Sequence, residues 1–252
     1  MSSKLIHKLT GEKKEQPAAR TVRLSLASYN IRRTFGRDKK YSPERIARVL
    51  CELDAEVIGL QEVDSRLFSE SGLDQLSYLA EEAGYWSIAG PTVYNENSNY
   101  GNALLTRLPV LSIQRIDLSV AGREPRGAVY AELEKDGWPI SLITTHLGLK
   151  RKERLYQVKR LLELIDVKQR MVLMGDFNEW KVKSLPTRLL EDRFGKEVRM
   201  RTYPTWLPLF RLDWIWVVPR QAIREVKTHS SPEARIASDH LPVRANVEWA
   251  IK

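Results

Sequence analysis

Residues 171–180 read MVLMGDFNEW, an apolar run that ends in a glycine followed by Asp176 and Asn178. Four consecutive apolar residues bounded by glycine and polar side chains are typical of a buried strand. Such a strand would hold Asp176 and Asn178 at its end, where rigid strands aim side chains into a shared crevice. An Asx-type turn after a strand would use the same two residues, so the motif alone does not establish a site.

Seven further runs rich in Val, Ile, Leu and aromatic residues predict strands around residues 171–175. They are 22–29, 56–60, 102–106, 127–133, 139–145, 212–218 and 242–249. Helices are predicted at 43–53, 72–83, 151–166 and 184–192. Because strands outnumber helices and include hairpin-like pairs, the pattern favours mixed sheets packed together with outer helices over a doubly wound parallel sheet.

Isolated polar residues stand where these apolar runs start or stop. They are Asn30, Glu62, His146, Asp213, Asp239 and His240. Each has an ordinary structural explanation, such as a turn, a solvated acid, a salt bridge or a hydrogen-bonded structural histidine. Their occurrence together at the ends of separate predicted strands indicates one site.

The order of these residues resembles the endonuclease/exonuclease/phosphatase superfamily, which includes pancreatic-type deoxyribonucleases, abasic-site endonucleases, neutral sphingomyelinases and inositol polyphosphate phosphatases. The matching segments are SYN (28–30), LQEVD (60–64), YGNALLTR (100–107), TTHLG (144–148), MGDFNEW (174–180), RLDWIWV (211–217) and SDHLPV (238–243). The resemblance implies an α/β (α+β) fold, a four-layer α/β/β/α sandwich of two packed mixed β-sheets with outer helices.

The resemblance also implies a hydrolase of phosphoric esters that uses Mg²⁺ or Mn²⁺ and an attacking water. A hard cation held by oxygen ligands neutralises charge on the reacting phosphate. The predicted metal ligands are Glu62, Asn30 and Asp239, and the predicted catalytic residues are His146, Asp176, Asn178, Asp213 and His240. Alternatively, Asn30 orients a phosphate oxygen, and Asp239 supports the metal ligands without binding the metal itself.

The resemblance gives Asp176 the role of orienting or deprotonating the water, and Asn178 the role of binding phosphate. Asp213 and His240 would pair, which leaves His240 as either base or stabiliser of the pentacovalent state. His146 would donate to a phosphoryl oxygen or to the leaving group.

Three residues are predicted to contact substrate: Arg126, Asn102 and Arg211. Arg126 could bind a phosphate bidentately, or stand in solvent as a turn arginine. Arg211 ends the segment TYPTWLPLFR (202–211), which we expect to be a core-packed loop because aromatic runs are usually buried. The alternative is an exposed apolar loop that touches lipid or stacks on bases.

The net charge of +9 suits a polyanionic partner. Residues 147–170 alone hold eight Lys/Arg against three acids. Nucleic acid is therefore the first predicted substrate, and an anionic phospholipid or small phosphorylated headgroup the second; a catalytically dead phosphate-binding module is the third possibility. Arg32 replaces an acid, and His146 a tyrosine, of the abasic-site endonucleases, so both weigh against abasic-site repair.

Residues 1–20 are polar and basic and predict a disordered tail, followed by a catalytic domain at 21–252. The sequence has no apolar run of the length that spans a bilayer and no signal-peptide pattern. Its single cysteine, Cys51, excludes an intrachain disulfide and a cysteine-based zinc site. We expect a cytoplasmic monomer.

Overall fold

The computed structural model describes residues 20–64, 74–95, 98–166, 169–181, 183–196, 198 and 200–251. Of the predicted basic tail, residues 1–19 lie outside the described residues, as do residues 72–73 of the second predicted helix. Within the described ranges, no helix is both long enough and apolar enough to cross a membrane.

Eleven strands and five α-helices run through the described chain. The strands are β1 (Thr21–Asn30), β2 (Val57–Asp64), β3 (Trp86–Asn95), β4 (Ser98–Thr106), β5 (Val110–Asp117), β6 (Gly127–Lys135), β7 (Trp138–His146), β8 (Met171–Asp176), β9 (Asp213–Val218), β10 (Ile223–Thr228) and β11 (Val243–Ala250). The helices are α1 (Pro43–Leu53), α2 (Gln75–Ala83), α3 (Arg151–Leu162), α4 (Leu185–Phe194) and α5 (Ala234–Ala237). Two short 3-10 turns cover Arg32–Thr34 and Arg220–Ala222.

The strands form two mixed sheets. The first has six strands in the order β10-β11-β1-β2-β4-β3, and the second has five in the order β5-β6-β7-β8-β9. Only β1 with β2 and β7 with β8 pair in parallel among the described strands, and the other neighbours are antiparallel. In each parallel pair the carboxyl ends of two strands that are far apart in sequence lie side by side, at the same end of the sheet.

Three apolar layers hold these sheets and helices together. Residues of α1 and α2 pack on the outer face of the first sheet. The inner faces of both sheets meet in a second layer, through residues such as Leu104 and Val172. Residues of α3 and α4 cover the outer face of the second sheet. A fully buried aliphatic side chain contributes about 1.5–3 kcal/mol, so all three layers stabilise the fold. The predicted α/β/β/α sandwich is confirmed.

The three strands that the sequence did not predict share one property: β3, β5 and β10 are all edge strands. Nearly every residue of β5 is exposed, and β3 contains Gly90 and Pro91. An edge strand with little contact with the core lacks the apolar run that marks a central strand. β9 is also an edge strand, but all six of its residues are buried, and its apolar run predicted it.

The segment 202–211 contradicts the prediction of a core-packed loop. Thr202 and Thr205 are buried and the residues between them are half-buried, but Trp206, Leu207, Leu209 and Phe210 are exposed. Backbone N–H groups of Leu209 and Phe210 donate to the carbonyl of Tyr203, at 2.9 and 2.8 Å, and close the segment on itself. Its small polar residues face the core because they hydrogen-bond there, and this leaves the apolar ones in solvent.

Candidate active site

The predicted site residues meet because two sheets present their strand ends to a common cleft. In the second sheet, His146 pairs in register with Asp176, and Asp176 with Asp213, so three neighbouring strands carry the three side chains in one row. In the first sheet, Asn30 ends β1, and Glu62 lies at an irregularity of β2 with a φ of +56°. A non-glycine residue adopts this conformation only where its surroundings enforce it, which is common at functional sites.

The cleft has a volume of about 680 Å³. Predicted site residues that line it are Glu62, Arg126, His146, Asp176, Asn178, Asp239 and His240. The cleft is also lined by residues that were not predicted to belong to the site, namely Arg32, Arg33, Tyr100, Glu124, Leu149, Trp180, Tyr203, Phe210 and Leu212. Both charged and apolar side chains thus face the same space, as in many ligand sites.

Asp176 lies at the centre of the polar groups and is 1% exposed. Its Oδ2 accepts from Asn30 Nδ2 at 3.0 Å and lies 3.5 Å from His146 Nε2 and 3.8 Å from His240 Nε2. Its Oδ1 accepts from the backbone N–H of Asn178 at 2.9 Å, so the turn after β8 fixes the carboxyl group. Burial raises the pKa of Asp176 to about 7, with charged His240 opposing this rise.

His240 and Asp213 form the predicted pair. His240 Nδ1 lies 2.9 Å from Asp213 Oδ2, which also accepts from the Thr202 hydroxyl at 2.5 Å. Burial alone would lower the pKa of His240, but the carboxylates of Asp213 and Asp176 outweigh it and raise this pKa to about 10. His240 is therefore an imidazolium at neutral pH, with its Nε2 directed toward Asp176.

His146 lies in a different environment. Its Nδ1 is 3.4 Å from Nη1 of Arg126, and its Nε2 is 2.9 Å from Nδ2 of Asn178. Burial lowers the pKa of His146 well below its ordinary value, and the charges of Arg126 and His240 lower it further. This histidine is neutral at neutral pH. Arg126 itself is 6% exposed and is held by Glu124 at 3.1 Å.

Glu62 and Asp239 are the carboxylates in the cleft that fit a hard cation. Asp239 has one contact to a basic group, Arg32 Nε at 3.3 Å, and its side chain keeps 28% of its exposure. Glu62 Oε1 accepts from Asn30 Nδ2 at 3.0 Å and has a second oxygen for a cation. Oxygen donors of this kind are the ligands that Mg²⁺ prefers, so the residues present fit the group.

Three hydrogen bonds fix the side chain of Asn30. Its Oδ1 accepts from the backbone N–H of Arg32 at 3.0 Å, and its Nδ2 bridges Glu62 and Asp176. The amide therefore presents a donor to the two acids and holds their carboxylates in position. Its role as a metal ligand stays a prediction.

Among the described residues, Asp176, Asp213 and His240 also come close enough together to hold a metal. We favour Glu62 and Asp239 because both line the open cleft, whereas Nδ1 of His240 and Oδ2 of Asp213 lie 2.9 Å apart and bond to each other.

Two predicted substrate residues do not line the cleft. Asn102 is buried, and its Nδ2 donates to the carbonyl of Gly127 at 2.8 Å, so it joins the first sheet to the second. Arg211 is half-buried beside the cleft residues Phe210 and Leu212, and its carbonyl accepts from Trp214 Nε1. Both predictions came from position in a motif, which does not show where a side chain points.

A buried ion pair, which no sequence motif indicated, connects the loop after β7 to the loop after β8 on one side of the cleft. Arg154 Nη2 lies 3.2 Å from Glu179 Oε2, and its Nη1 donates to the carbonyl of Leu149 at 2.6 Å. Its guanidinium also lies 5.4 Å from the ring centroid of Trp180. Arg154 is one of the eight basic residues of segment 147–170, but it is buried.

Comparison with known proteins agrees with this geometry. Residues 27–240 match the model of the Endonuclease/Exonuclease/phosphatase family. The uncharacterized protein YbhP of Escherichia coli (strain K12) is 31% identical over 211 residues, which cover 76% of this chain and 80% of YbhP.

Solved structures show the same fold. The endonuclease/exonuclease/phosphatase from Bacteroides vulgatus is similar with a TM-score of 0.75 at 17% identity, covering 91% of this chain and 99% of that one. The endonuclease/exonuclease/phosphatase from Beutenbergia cavernae DSM 12333 is similar with a TM-score of 0.72 at 20% identity, covering 91% and 72%. The chain therefore belongs to the endonuclease/exonuclease/phosphatase family, whose members are divalent-metal-dependent phosphoester hydrolases.

Proposed function

We propose that this protein hydrolyses a phosphodiester by attack of a water molecule, with residues 21–252 as the catalytic domain. The observation that carries the proposal is the position of Asp176. One buried carboxyl group lies within 3.8 Å of a charged histidine and within 3.5 Å of a neutral one, at the floor of an open cleft. This arrangement offers a base, a charged imidazolium and a neutral hydrogen-bonding group to one phosphate and its attacking water.

Asp176 is the residue that we assign to the attacking water. A general base works best when its pKa is close to the working pH, and that of Asp176 is about 7. The hydrogen bonds from Asn30 and from the backbone of Asn178 hold both carboxylate oxygens in place. A fixed carboxylate can orient the water as well as take its proton.

His240 is assigned to charge stabilisation. With a pKa of about 10, it carries a proton at neutral pH and is unsuited to the role of base. The ring is held through Nδ1 by Asp213, which leaves Nε2–H to donate to an oxygen of the pentacovalent phosphorus. The protonation states of the two residues therefore favour Asp176, and not His240, as the base.

His146, Asn178 and Arg126 are assigned to binding the phosphate. His146 is neutral, so it acts as a hydrogen-bonding group and not as a second positive charge. Within the described part of the chain, the Nε of Arg126 is a buried donor without a hydrogen-bond partner. An unpaired buried donor is costly, and a phosphate oxygen would satisfy it.

A divalent cation, Mg²⁺ or Mn²⁺, would be held by Glu62 and Asp239. When bound, it supplies Lewis-acid neutralisation of the charge that develops on the phosphate. Arg32, which now neutralises Asp239, stands at the same edge of the cleft.

The substrate predicted first from the sequence, nucleic acid, is supported by charge alone, and this charge suits an anionic phospholipid, the second predicted substrate, equally. The net charge of +9 supports a polyanion, and Arg32 and Arg33 at the cleft add positive charge where a backbone phosphate would enter. A cytoplasmic monomer stays the expectation for its setting.

The test is hydrolysis of bis-p-nitrophenyl phosphate with Mg²⁺ or Mn²⁺, comparing Asp176→Asn with an exposed acid on α4, Asp192→Asn, as the matched control. We expect a loss of about 10²–10⁴-fold for the first and none for the second. A panel of plasmid DNA, RNA, phospholipid vesicles and soluble phosphomonoesters would then rank substrates. Wild-type protein that cleaves nothing, or activity that survives Asp176→Asn, would overturn the proposal and favour a phosphate-binding module.

A further inference from the structure

One wall of the cleft continues into an exposed apolar tip, which we define as residues 203–210. Its side chains Trp206, Leu207 and Leu209 are 64, 48 and 53% exposed, and Phe210 lines the cleft itself. Contiguous exposed apolar side chains of this size usually mark a binding surface.

The base of the apolar tip is fixed, so its exposure is built into the fold. The Thr205 hydroxyl donates to the carbonyl of Ser238 at 3.2 Å, and its backbone N–H donates to the carbonyl of Asp239 at 3.0 Å. At the other end the Thr202 hydroxyl bonds Asp213. These contacts tie the tip directly to segments that carry the Asp213–His240 pair.

A strongly basic segment borders the same cleft. Residues 32–40 read RRTFGRDKK, with five basic residues and one acid. The segment and the apolar tip are joined through α5, because Arg37 N donates to the carbonyl of Ile236 at 2.8 Å and Arg235 Nη1 donates to that of Thr205 at 3.5 Å. Arg32 and Arg33 of this segment line the same cleft as Phe210, although they lie far from it in the sequence.

We propose that the apolar tip and the basic segment dock the cleft on an anionic phospholipid bilayer, so that the phosphodiester it cleaves is a phospholipid headgroup ester. This inference deepens the proposed function and rests on it for the chemistry. Aliphatic and aromatic side chains enter the boundary between headgroups and acyl chains, while lysine and arginine contact lipid phosphates.

The composition of the tip favours lipid over nucleic acid. Residues 203–210 contain no lysine or arginine. A surface that tracks a nucleic acid backbone places basic groups among its aromatic side chains, because each bound phosphate needs a cation. Here the basic residues lie beside the tip, and the tip carries leucine and proline, which have no aromatic ring to stack on a base.

The chain offers matched control variants for sedimentation of the full-length protein with vesicles. The test variant, Trp206→Ser with Leu209→Ser, removes two apolar side chains of the tip. The control variant, Trp86→Ser with Leu111→Ser, removes residues of the same types that are 62 and 52% exposed and do not line the cleft. On vesicles of equal parts phosphatidylcholine and phosphatidylglycerol, we expect the first pair to weaken binding at least about tenfold and the second to leave it unchanged.

Charge is tested in the same assay. Lys39→Glu with Lys40→Glu should weaken binding to the anionic vesicles by about tenfold or more, while Lys152→Glu with Lys159→Glu on α3 should not. Vesicles of phosphatidylcholine alone should bind weakly, and salt should reduce binding to the anionic ones.

The outcomes separate this inference from the proposed function. Hydrolysis of bis-p-nitrophenyl phosphate should survive both tip substitutions. Cleavage of vesicle lipid, measured as phosphorylated headgroup released or as phosphatidate formed, should fall together with vesicle binding. Soluble ester cleaved without vesicle binding, or with vesicle lipid untouched, overturns the inference and leaves the proposed function standing. Vesicle binding with no hydrolysis of any ester overturns the proposed function. If the protein binds an oligonucleotide through Trp206 and does not bind vesicles, the inference is wrong and the partner of the apolar tip is nucleic acid.

Discussion

The two histidines of the cleft are alike in burial and opposite in charge. Each lies within 4 Å of Asp176, yet His146 has Arg126 at its Nδ1 and His240 has Asp213 there. Burial keeps the first ring neutral, with the charge of Arg126 acting in the same direction, whereas the carboxylates of Asp213 and Asp176 outweigh burial and keep the second ring protonated. The difference shows that burial by itself gives a neutral imidazole, and that neighbouring carboxylates decide which ring offers a positive charge to a phosphate.

The largest effect is expected from removing the carboxylate behind His240. Asp213→Asn keeps the shape of the pair but no longer favours the imidazolium, so kcat on bis-p-nitrophenyl phosphate should fall about 10²–10⁴-fold. Asp117→Asn, at the exposed end of β5, is the control. Thermal unfolding of both variants shows whether the fold survives, and a folded Asp213→Asn with full activity would contradict the role given to His240.

Metal binding tests the acid-rich side of the cleft. A ligand present at 100 times its Kd stabilises the folded state by about 2.7 kcal/mol, so Mn²⁺ should raise the unfolding temperature of the wild-type protein. Glu62→Gln should remove this rise, and Glu163→Gln, an exposed acid beyond α3, should keep it. An unchanged rise in Glu62→Gln would mean that the cation binds elsewhere, the Asp176, Asp213 and His240 group being the first place to look.

A smaller effect is expected on the neutral side. Arg126→Met removes the charge beside His146, so the pKa of His146 should move upward and kcat/KM should fall by about tenfold through weaker phosphate binding. Nitrogen-detected NMR of the histidine rings reports the protonation state directly. Arg123→Met, an exposed neighbour in the same loop, is the matched control. A ring of His146 that is charged at pH 7 in the wild-type protein would break the contrast.

The smallest effect is a pH dependence of stability in the metal-free protein. Because the pKa of folded His240, about 10, exceeds that of an unfolded histidine, its stabilisation is full below pH 6.5 and is lost as pH rises to 10. The raised pKa of Asp176 has the same sign between about pH 4 and 7. We expect the unfolding temperature to fall by at least about 2–4 °C, roughly 1 kcal/mol, across the upper window.

His240→Asn should flatten that slope, and His229→Asn, whose ring lies beside Glu52 on the surface, should leave it as in the wild type. Equal slopes in all three proteins would show that His240 is not charged in the folded state.

Much of the fold could be predicted from the sequence because its central strands are buried on both faces. Runs such as 171–175 and 139–145 have to be apolar, since helices cover one side and the other sheet covers the second. The edge strands β3, β5 and β10 do not meet this requirement, and their sequences carry little sign of them.

The site was predictable to the extent that its residues end such strands. His146, Asp176 and Asp213 are placed by register, and register follows from the apolar pattern. Glu62 lies instead at the irregularity of β2, where the regular pairing with β4 is interrupted. Asn102 shows the limit of this reasoning. It lies in a matching motif, but its amide bonds Gly127 of the other sheet, a contact that depends on how the two sheets stack.

The sequence by itself determined which residue types end the central strands, and with them the family and its chemistry. Tertiary structure alone decided the charges: burial, and the contacts of Arg126, Asp213 and Asp176, make one histidine neutral and the other protonated. It also decided that the apolar side chains of Trp206, Leu207 and Leu209 face solvent, because two buried threonines anchor the loop. Side-chain direction and desolvation depend on neighbours far along the chain, and no local pattern contains them.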